Sequence, residues 1–315
     1  MVDMTPASHF LSCDWGTSHF RLRLIDRIRM TILDEHTSDE GIQALALNYP
    51  QNEERHLAMA EVLRSSIDAL ALTDQPHIPV MMSGMASSTL GWQSLPYAPL
   101  PAPLDGSTLR YLDFEVDGHP VRLISGLHSA NDVMRGEETE LVGLFSGPAK
   151  ARATDDFIVI LPGTHSKHVQ ICNGTITDFT TYMTGELFQL LSTQSTLRVA
   201  GETRFDETAF RQGLEASQNP GLGRAMFRTR SLTLLGQLTP AHSPAYLSGM
   251  LIGAEFSTLT GAPPSRILLA AGDQLAEQYH LAISTLLPTT HLGIIDPDEL
   301  AAAAIRGHAA LLPFA

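Results

Sequence analysis

Two hydrophobic periods alternate along the chain. Phe10 and Leu11 run into Cys13 and Asp14, a small-residue turn follows at Gly16-Thr17-Ser18, and Phe20, Leu22 and Leu24 then alternate with polar residues. An apolar stretch before a glycine turn and a period of two after it predict strand, tight turn, strand, with Asp14 at the tip of the first strand. Over residues 53–72 the period lengthens. Leu57, Met59, Ala60, Leu63, Ile67 and Leu70 recur at helical spacing and predict a helix. Residues 78–82 predict a short buried strand, with Ser83-Gly84-Met85 at its C-terminal end, where ligands bind in open α/β sheets. Four prolines between Gly91 and Pro103 predict an extended loop, of a length usually reserved for function inside a compact domain. A strand over 121–125 and a helix from near Arg135 to Phe145 complete the first half.

The pattern then restarts. Residues 157–161 predict a buried strand, 162–167 a turn, and 169–172 with 175–182 a hairpin around Asn173-Gly174. Helices dominate residues 206–259, broken at Pro220, Pro240 and Pro244. Residues 266–271 predict a strand closed by Gly272, 273–287 a helix, 292–295 a last strand, and Pro297 the start of a terminal helix. Strands alternating with helices indicate an α/β fold. A chain of 315 residues suggests two domains, 1–155 and 156–315, joined by a linker at residues 147–154. Each half carries a strand, a Gly-Thr turn with hydroxyls and a returning strand. The halves are too dissimilar to be a sequence repeat, yet they suggest two related lobes facing one ligand.

Composition narrows the function classes. Apolar residues make up 43% and charged residues 17%, which indicates a globular chain. The formal net charge of −14 argues against general nucleic-acid binding, while leaving room for a local basic pocket. Cys13 and Cys172 form no metal-type or disulfide pattern and are expected to be core thiols. No stretch has the apolar length of a membrane span, and the N-terminus has no signal-peptide pattern, so a cytoplasmic location is expected.

Candidate chemistry concentrates in three segments. At the first turn Gly16 permits the bend, Thr17 and Ser18 offer hydroxyls and backbone N–H groups to an anion, and Asp14 suits a hydrated Mg²⁺ on a nucleotide's phosphates. An ordinary hairpin with a polar tip explains the same residues. Pro162-Gly163-Thr164-His165-Ser166-Lys167 combines a glycine, two hydroxyls and a cation, without P-loop or GxGxxG spacing. A hairpin turn with a solvated lysine is its plainer reading. Asp132, just before a helix, reads as a cap or as a base that takes a proton from a sugar hydroxyl. Arg135 reads as a bidentate carboxylate contact or as a surface ion pair with Glu138 or Glu140. Gly249 and Gly253, four apart, suit close helix packing, and Ala270-Ala271-Gly272-Asp273 could support a flat adenine or be a plain strand-to-helix turn.

In combination, these segments resemble the 2-dehydro-3-deoxygalactonokinase family of the sugar-kinase/Hsp70/actin superfamily. The matching stretches are Asp14-Trp15-Gly16-Thr17-Ser18 with Arg21, Met82-Ser83-Gly84-Met85 with Gly91-Trp92 and Pro96-Tyr97, Val133-Met134-Arg135-Gly136-Glu137-Glu138-Thr139, Leu161-Pro162-Gly163-Thr164-His165-Ser166-Lys167, and Met183-Thr184-Gly185-Glu186-Leu187. The resemblance implies two ribonuclease-H-like lobes with an inter-lobe cleft, the actin-like ATPase fold. It implies ATP and Mg²⁺, and transfer of the γ-phosphoryl group to the 6-hydroxyl of 2-dehydro-3-deoxy-D-galactonate in galactonate catabolism. Under it, Gly16, Thr17 and Ser18 form the first phosphate motif beside the metal-binding Asp14. Gly163, Thr164 and the catalytic Lys167 belong to the second, and Gly272 to the adenosine motif. Asp132 lies where related sugar kinases place a catalytic Asp. Ser83, Gly84, Met85, Trp92, Tyr97, Arg135, Glu137 and His165 become the substrate contacts. His19 stands where a smaller polar residue such as Asn is expected. An acidic substrate in a net-acidic protein needs local cations, and Arg135, Arg21, His165 and Lys167 are available. A small-molecule partner is implied, without nucleic acid or membrane, and a homo-oligomer stays open. The alternative is a non-catalytic sugar- or nucleotide-sensing member of the superfamily, against which Asp14, Asp132 and Lys167 argue.

Overall fold

A computed structural model describes residues 8–75, 77–146, 155–199, 201–218 and 221–313. The linker expected at 147–154 and the break expected at Pro220 lie outside the described residues. The chain divides into two compact units. The first takes the described residues within Met1–Asp155, Cys172–Asp178 and Asp298–Ala315, the second those within Asp156–Ile171 and Phe179–Pro297.

In the first unit, β1 (His9–Trp15), β2 (Phe20–Asp26) and β3 (Thr31–Ser38) form an antiparallel meander, followed by α1 (Ile42–Asn48) and α2 (Asn52–Ala69). β4 (Val80–Gly84) lies parallel to β1, and β8 (His119–Ile124) parallel to β4. The proline-rich segment is extended, as expected, and contributes the two-residue strands β5 (Ala98–Pro99) and β6 (Ala102–Pro103). β7 (Tyr111–Val116) pairs with β8 across Asp117-Gly118, two residues at positive φ that give the turn a hairpin needs. The sheet order is β3-β2-β1-β4-β8-β7. A smaller sheet joins β5, β9 (Leu127–His128) and β10 (Val133–Met134). The core gathers on Trp15, Phe20, Leu22, Met59 and Leu63, all without solvent exposure.

Helix α3 (Glu137–Ser146) starts two residues later than its sequence pattern indicates. The expected capping role of Asp132 fails for that reason: Asp132 ends the turn from β9 into β10, five residues ahead of the helix, and its carboxylate accepts the amide of Val133. Arg135 likewise precedes the helix.

In the second unit, β11 (Phe157–Leu161) and β12 (Ser166–Cys172) are antiparallel, and β13 (Thr175–Tyr182) follows across the Asn173-Gly174 turn. Residues 172–178 count with the first unit, where Thr175 and Ile176 pair with Pro103 and Ala102 of β6. Cys172 is therefore not the core thiol its apolar surroundings indicated; it is exposed, whereas Cys13 is buried. Helices α4 (Thr184–Gln194), α5 (Glu207–Ser217), α6 (Leu222–Leu234), α7 (Ser243–Glu255) and α8 (Ser257–Thr260) precede β14 (Arg266–Leu269), α9 (Asp273–Leu286) and β15 (His291–Ile294). β14 and β15 continue the sheet in parallel from β11. The final helices are α10 (Pro297–Ala301) and α11 (Ala303–Leu311).

Glycines set one helix crossing in each unit. A Cβ at Gly249 of α7 would fall 2.0 Å from the Phe210 carbonyl oxygen of α5. This accords with the close packing expected of that segment. In the first unit, a Cβ at Gly143 of α3 would fall 1.7 Å from the Ala303 carbonyl oxygen of α11. That backbone approach ties the C-terminal helix to the first unit.

Candidate active site

In the first unit, Asp14 sits near the end of β1, paired with Arg21 of β2 on one side and Ser83 of β4 on the other. Among the described residues, no donor is hydrogen-bonded to its carboxylate. Burial pushes the Asp14 carboxyl above its ordinary value, Arg21 and Arg23 oppose the shift, and Glu137 adds to it. Gly84 closes this corner at φ 85°, where a Cβ would lie 2.7 Å from the Trp15 carbonyl oxygen.

The 16–18 turn is held from behind. Gly16 donates to the His19 carbonyl at 2.9 Å, and the amides of Ile42 and Gln43 donate to the carbonyls of Gly16 and Thr17. Thr17 and Ser18 themselves are exposed, so their hydroxyls face solvent while their backbone is fixed. His19 is also exposed and lies 3.2 Å from Asp39.

Several expected substrate contacts meet beside Gly84. Arg135 donates to the Ser87 carbonyl and, at 2.6 Å, to the Ser87 hydroxyl, and its guanidinium lies 4.3 Å from the Tyr97 ring centre. This pairing replaces the surface ion pair with Glu138 or Glu140. Glu137 accepts the Arg135 amide at 2.9 Å, and Glu138 the Gly136 amide at 2.7 Å. Glu138 is buried, and burial, with Glu137 beside it, pushes its carboxyl up to about 8. Met85 and Trp92 are half-buried and pack on the core; Trp92 contacts Trp15 at 6.1 Å and Phe114 at 5.2 Å between ring centres. Ser83 is buried and bonded to His308, which links it to Ser12. Burial and Arg23 push His308 down to about 3, so this bridge is neutral.

The second unit carries the other turn. Gly163, Thr164 and His165 are exposed, while the next three residues, Ser166, Lys167 and His168, are buried despite their polarity. The solvated-lysine reading of this turn is thereby overturned: Lys167 is 4% exposed, and its ammonium donates to the His165 carbonyl at 3.2 Å. The start of α4 abuts the turn. A Cβ at Gly185 would fall 2.3 Å from the Gly163 carbonyl oxygen, Glu186 donates its amide to Thr164 at 3.0 Å, and the Glu186 carboxylate meets His165 Nε2 at 2.6 Å. A cavity of about 200 Å³ opens beside Gly163, with Thr184, Leu251, Leu275, Gln278 and Tyr279 among its lining residues. Gly272 is exposed at the N-terminus of α9, the helix that supplies Leu275 and Gln278.

Glu255 escaped the sequence reading. It closes α7 with no side-chain exposure. It accepts hydrogen bonds from Ser166 (2.7 Å), Thr184 (2.6 Å) and Tyr279 (2.7 Å), and pairs with His168 Nε2 at 2.7 Å. Burial pushes its carboxyl up, but the bonds from His168, Thr184 and Ser166 outweigh that and leave it below its ordinary value. The available signal was a lone acid ending a helix otherwise apolar or small from Leu247, since a charge in such a place requires partners.

The family model described as 2-keto-3-deoxy-galactonokinase matches residues 14–307. The 2-dehydro-3-deoxygalactonokinase of Escherichia coli (strain K12) is 32% identical over 89% of this chain and 90% of its own. The probable 2-dehydro-3-deoxygalactonokinase DgoK1 of Rhizobium meliloti (strain 1021) is 29% identical over 97% of this chain and 98% of its own. A crystal structure of a Sinorhizobium meliloti protein, described as a candidate 2-dehydro-3-deoxygalactonokinase, is 30% identical, covers 97% of this chain and 98% of its own, and aligns with a TM-score of 0.79.

Proposed function

The chain belongs to the 2-keto-3-deoxy-galactonokinase family, and on that premise we propose that it transfers the γ-phosphoryl group of ATP to the 6-hydroxyl of 2-dehydro-3-deoxy-D-galactonate. The family match over residues 14–307 carries this reading. Nothing in the comparisons favours the non-catalytic sensing alternative. Among the described residues, no helix is long and apolar enough to cross a membrane.

The two units take different shares. The first, with the Asp14 turn and the residues around Arg135, takes metal, sugar acid and, through Thr17 and Ser18, part of the phosphates. The second, with the 163–167 turn, the adjoining cavity and Gly272, holds phosphates and nucleoside. Asp14 fits Mg²⁺: its carboxylate has no donor among the described residues, and a cation would relieve the cost of burying its charge. One carboxylate suffices for an ion that keeps most of its water, and among the described residues no cluster of three or more ligating side chains competes for it. Mg²⁺ held there would supply charge neutralisation on the phosphoryl group.

The remaining work falls to positioning. The exposed Thr17 and Ser18 and the exposed Gly163 and Thr164 offer hydroxyls and backbone N–H groups to phosphate oxygens. Lys167, held by the His165 carbonyl, sets a positive charge behind the second turn. Arg135, anchored on Ser87 and Tyr97, presents the rest of its guanidinium to the substrate carboxylate. Asp132 takes the proton from the 6-hydroxyl. Measuring ADP release against a panel of 2-keto-3-deoxy sugar acids and neutral hexoses tests the proposal. Turnover is expected with the galactonate-derived acid, and turnover independent of any sugar acid overturns it.

A further inference from the structure

We propose that Glu255 is a positioning residue that sets the phosphate-binding turn of the second unit through Ser166 and Thr184. The inference rests on the reading that the 163–167 turn receives phosphate. Ser166 is the first residue after the exposed part of that turn, and Thr184 immediately precedes Gly185, whose backbone presses on the Gly163 carbonyl. Both hydroxyls converge on the one carboxylate, with Tyr279 and His168 as its other partners. Thr184 and Tyr279 also line the cavity beside Gly163. A single buried charge therefore fixes the first residue beyond the turn, the helix start that abuts it and one wall of the cavity. An acid that only filled space here would be replaceable by an apolar side chain of similar volume. Four partners on two oxygens have no apolar substitute.

The anionic form matters because it donates to none of its partners. Glutamine keeps the volume, but its NH₂ group donates where the carboxylate accepts, so the two partners of that oxygen must switch from donor to acceptor and their own protons lose the carboxylate. The turn loses its register while the apolar walls of the cavity remain.

The test compares a ligand with phosphates and one without. ADP and adenosine are titrated into the wild-type protein, Glu255→Gln and Ser166→Ala, with steady-state kinetics alongside. In Glu255→Gln, ADP affinity is expected to fall about tenfold, the scale of one lost hydrogen bond to a charged group. Adenosine affinity and the KM for the sugar acid should stay within about twofold, because the apolar walls that take the nucleoside keep their burial. Ser166→Ala, which removes one small buried hydroxyl, should move ADP the same way by a smaller factor and carries the test if the glutamine variant does not fold. Equal losses for ADP and adenosine make Glu255 a general structural residue and overturn the proposal, as does unchanged ADP affinity. A wild-type protein that binds ADP no more tightly than adenosine removes the phosphate reading of the turn, and this proposal with it.

Discussion

The two units build the same scaffold, and each sets a desolvated carboxylate beside its turn, half-buried Asp14 in the first and buried Glu255 in the second. The first runs β3-β2-β1-β4-β8 and the second β13-β12-β11-β14-β15: an antiparallel meander continued by two parallel strands, with a glycine-containing turn after the first strand of each. Beside the first turn, Asp14 has no hydrogen-bond donor among the described residues, and burial holds its carboxyl above the ordinary value. Beside the second, Glu255 has four partners and lies below the ordinary value despite burial. Desolvation raises both carboxyls, so the hydrogen bonds each one accepts decide the sign. An unsatisfied carboxylate is ready for an external cation. A saturated one has no capacity left for a ligand and acts through the groups it holds.

The largest expected effect comes from removing the first of these charges. Asp14→Asn should lower turnover by about two orders of magnitude or more, the scale of losing one directed electrostatic contact. Its melting temperature should hold or rise, because a charge that burial disfavours has gone. Wild-type-like turnover at saturating Mg-ATP would remove the metal assignment, and a large fall in melting temperature would remove the contrast with Glu255.

Asp132→Ala is expected to lower kcat by about 10²-fold while raising KM less, as for a base that acts in the transition state. Unchanged activity would move the base to Glu137 or Glu186. Arg135→Met should raise the KM for the sugar acid about tenfold or more, with the KM for ATP nearly constant. The opposite split would assign Arg135 to the phosphates.

The sequence disclosed scaffold more readily than site, for reasons visible in particular residues. The β1–β2 hairpin, the helix after Glu53 and the Asn173-Gly174 turn each follow from local periodicity and turn chemistry, and these survive in the folded chain. Strand β7 was equally legible, since Leu112, Phe114 and Val116 alternate with Asp113 and Glu115 ahead of the Asp117-Gly118 turn, yet the sequence reading passed over it. The Arg135 environment was not legible, since Ser87 lies 48 residues away and Tyr97 belongs to a proline-rich loop. Glu255 draws its donors from positions 166, 168, 184 and 279, a set assembled by the sheet and by α7. The exposure of Cys172 follows from its place at a hairpin end, which apolar neighbours conceal.

The smallest effect extends the comparison to pH. Glu138 is buried like Glu255, but the bonds it accepts from the Glu138 and Gly136 amides and the Thr139 hydroxyl do not outweigh burial, and Glu137 repels its charge. Its carboxyl therefore rises to about 8 instead of falling. A carboxyl that binds its proton more tightly when folded contributes stability that is complete below its unfolded value, near 4.5, and lost as pH rises through about 8. Glu138→Gln should accordingly match the wild type near pH 4 and melt higher above pH 8, by on the order of 2–4 °C for each kcal/mol recovered. Glu255→Gln should behave in the reverse sense. The depressed value of Glu255 contributes stability above its unfolded pKa that disappears as pH falls through the folded one, so its glutamine variant loses most at neutral pH and least in acid. Thermal melts of both variants from pH 4 to pH 9 give the two slopes. Slopes of the same sign would mean that hydrogen-bond satisfaction does not separate the two acids.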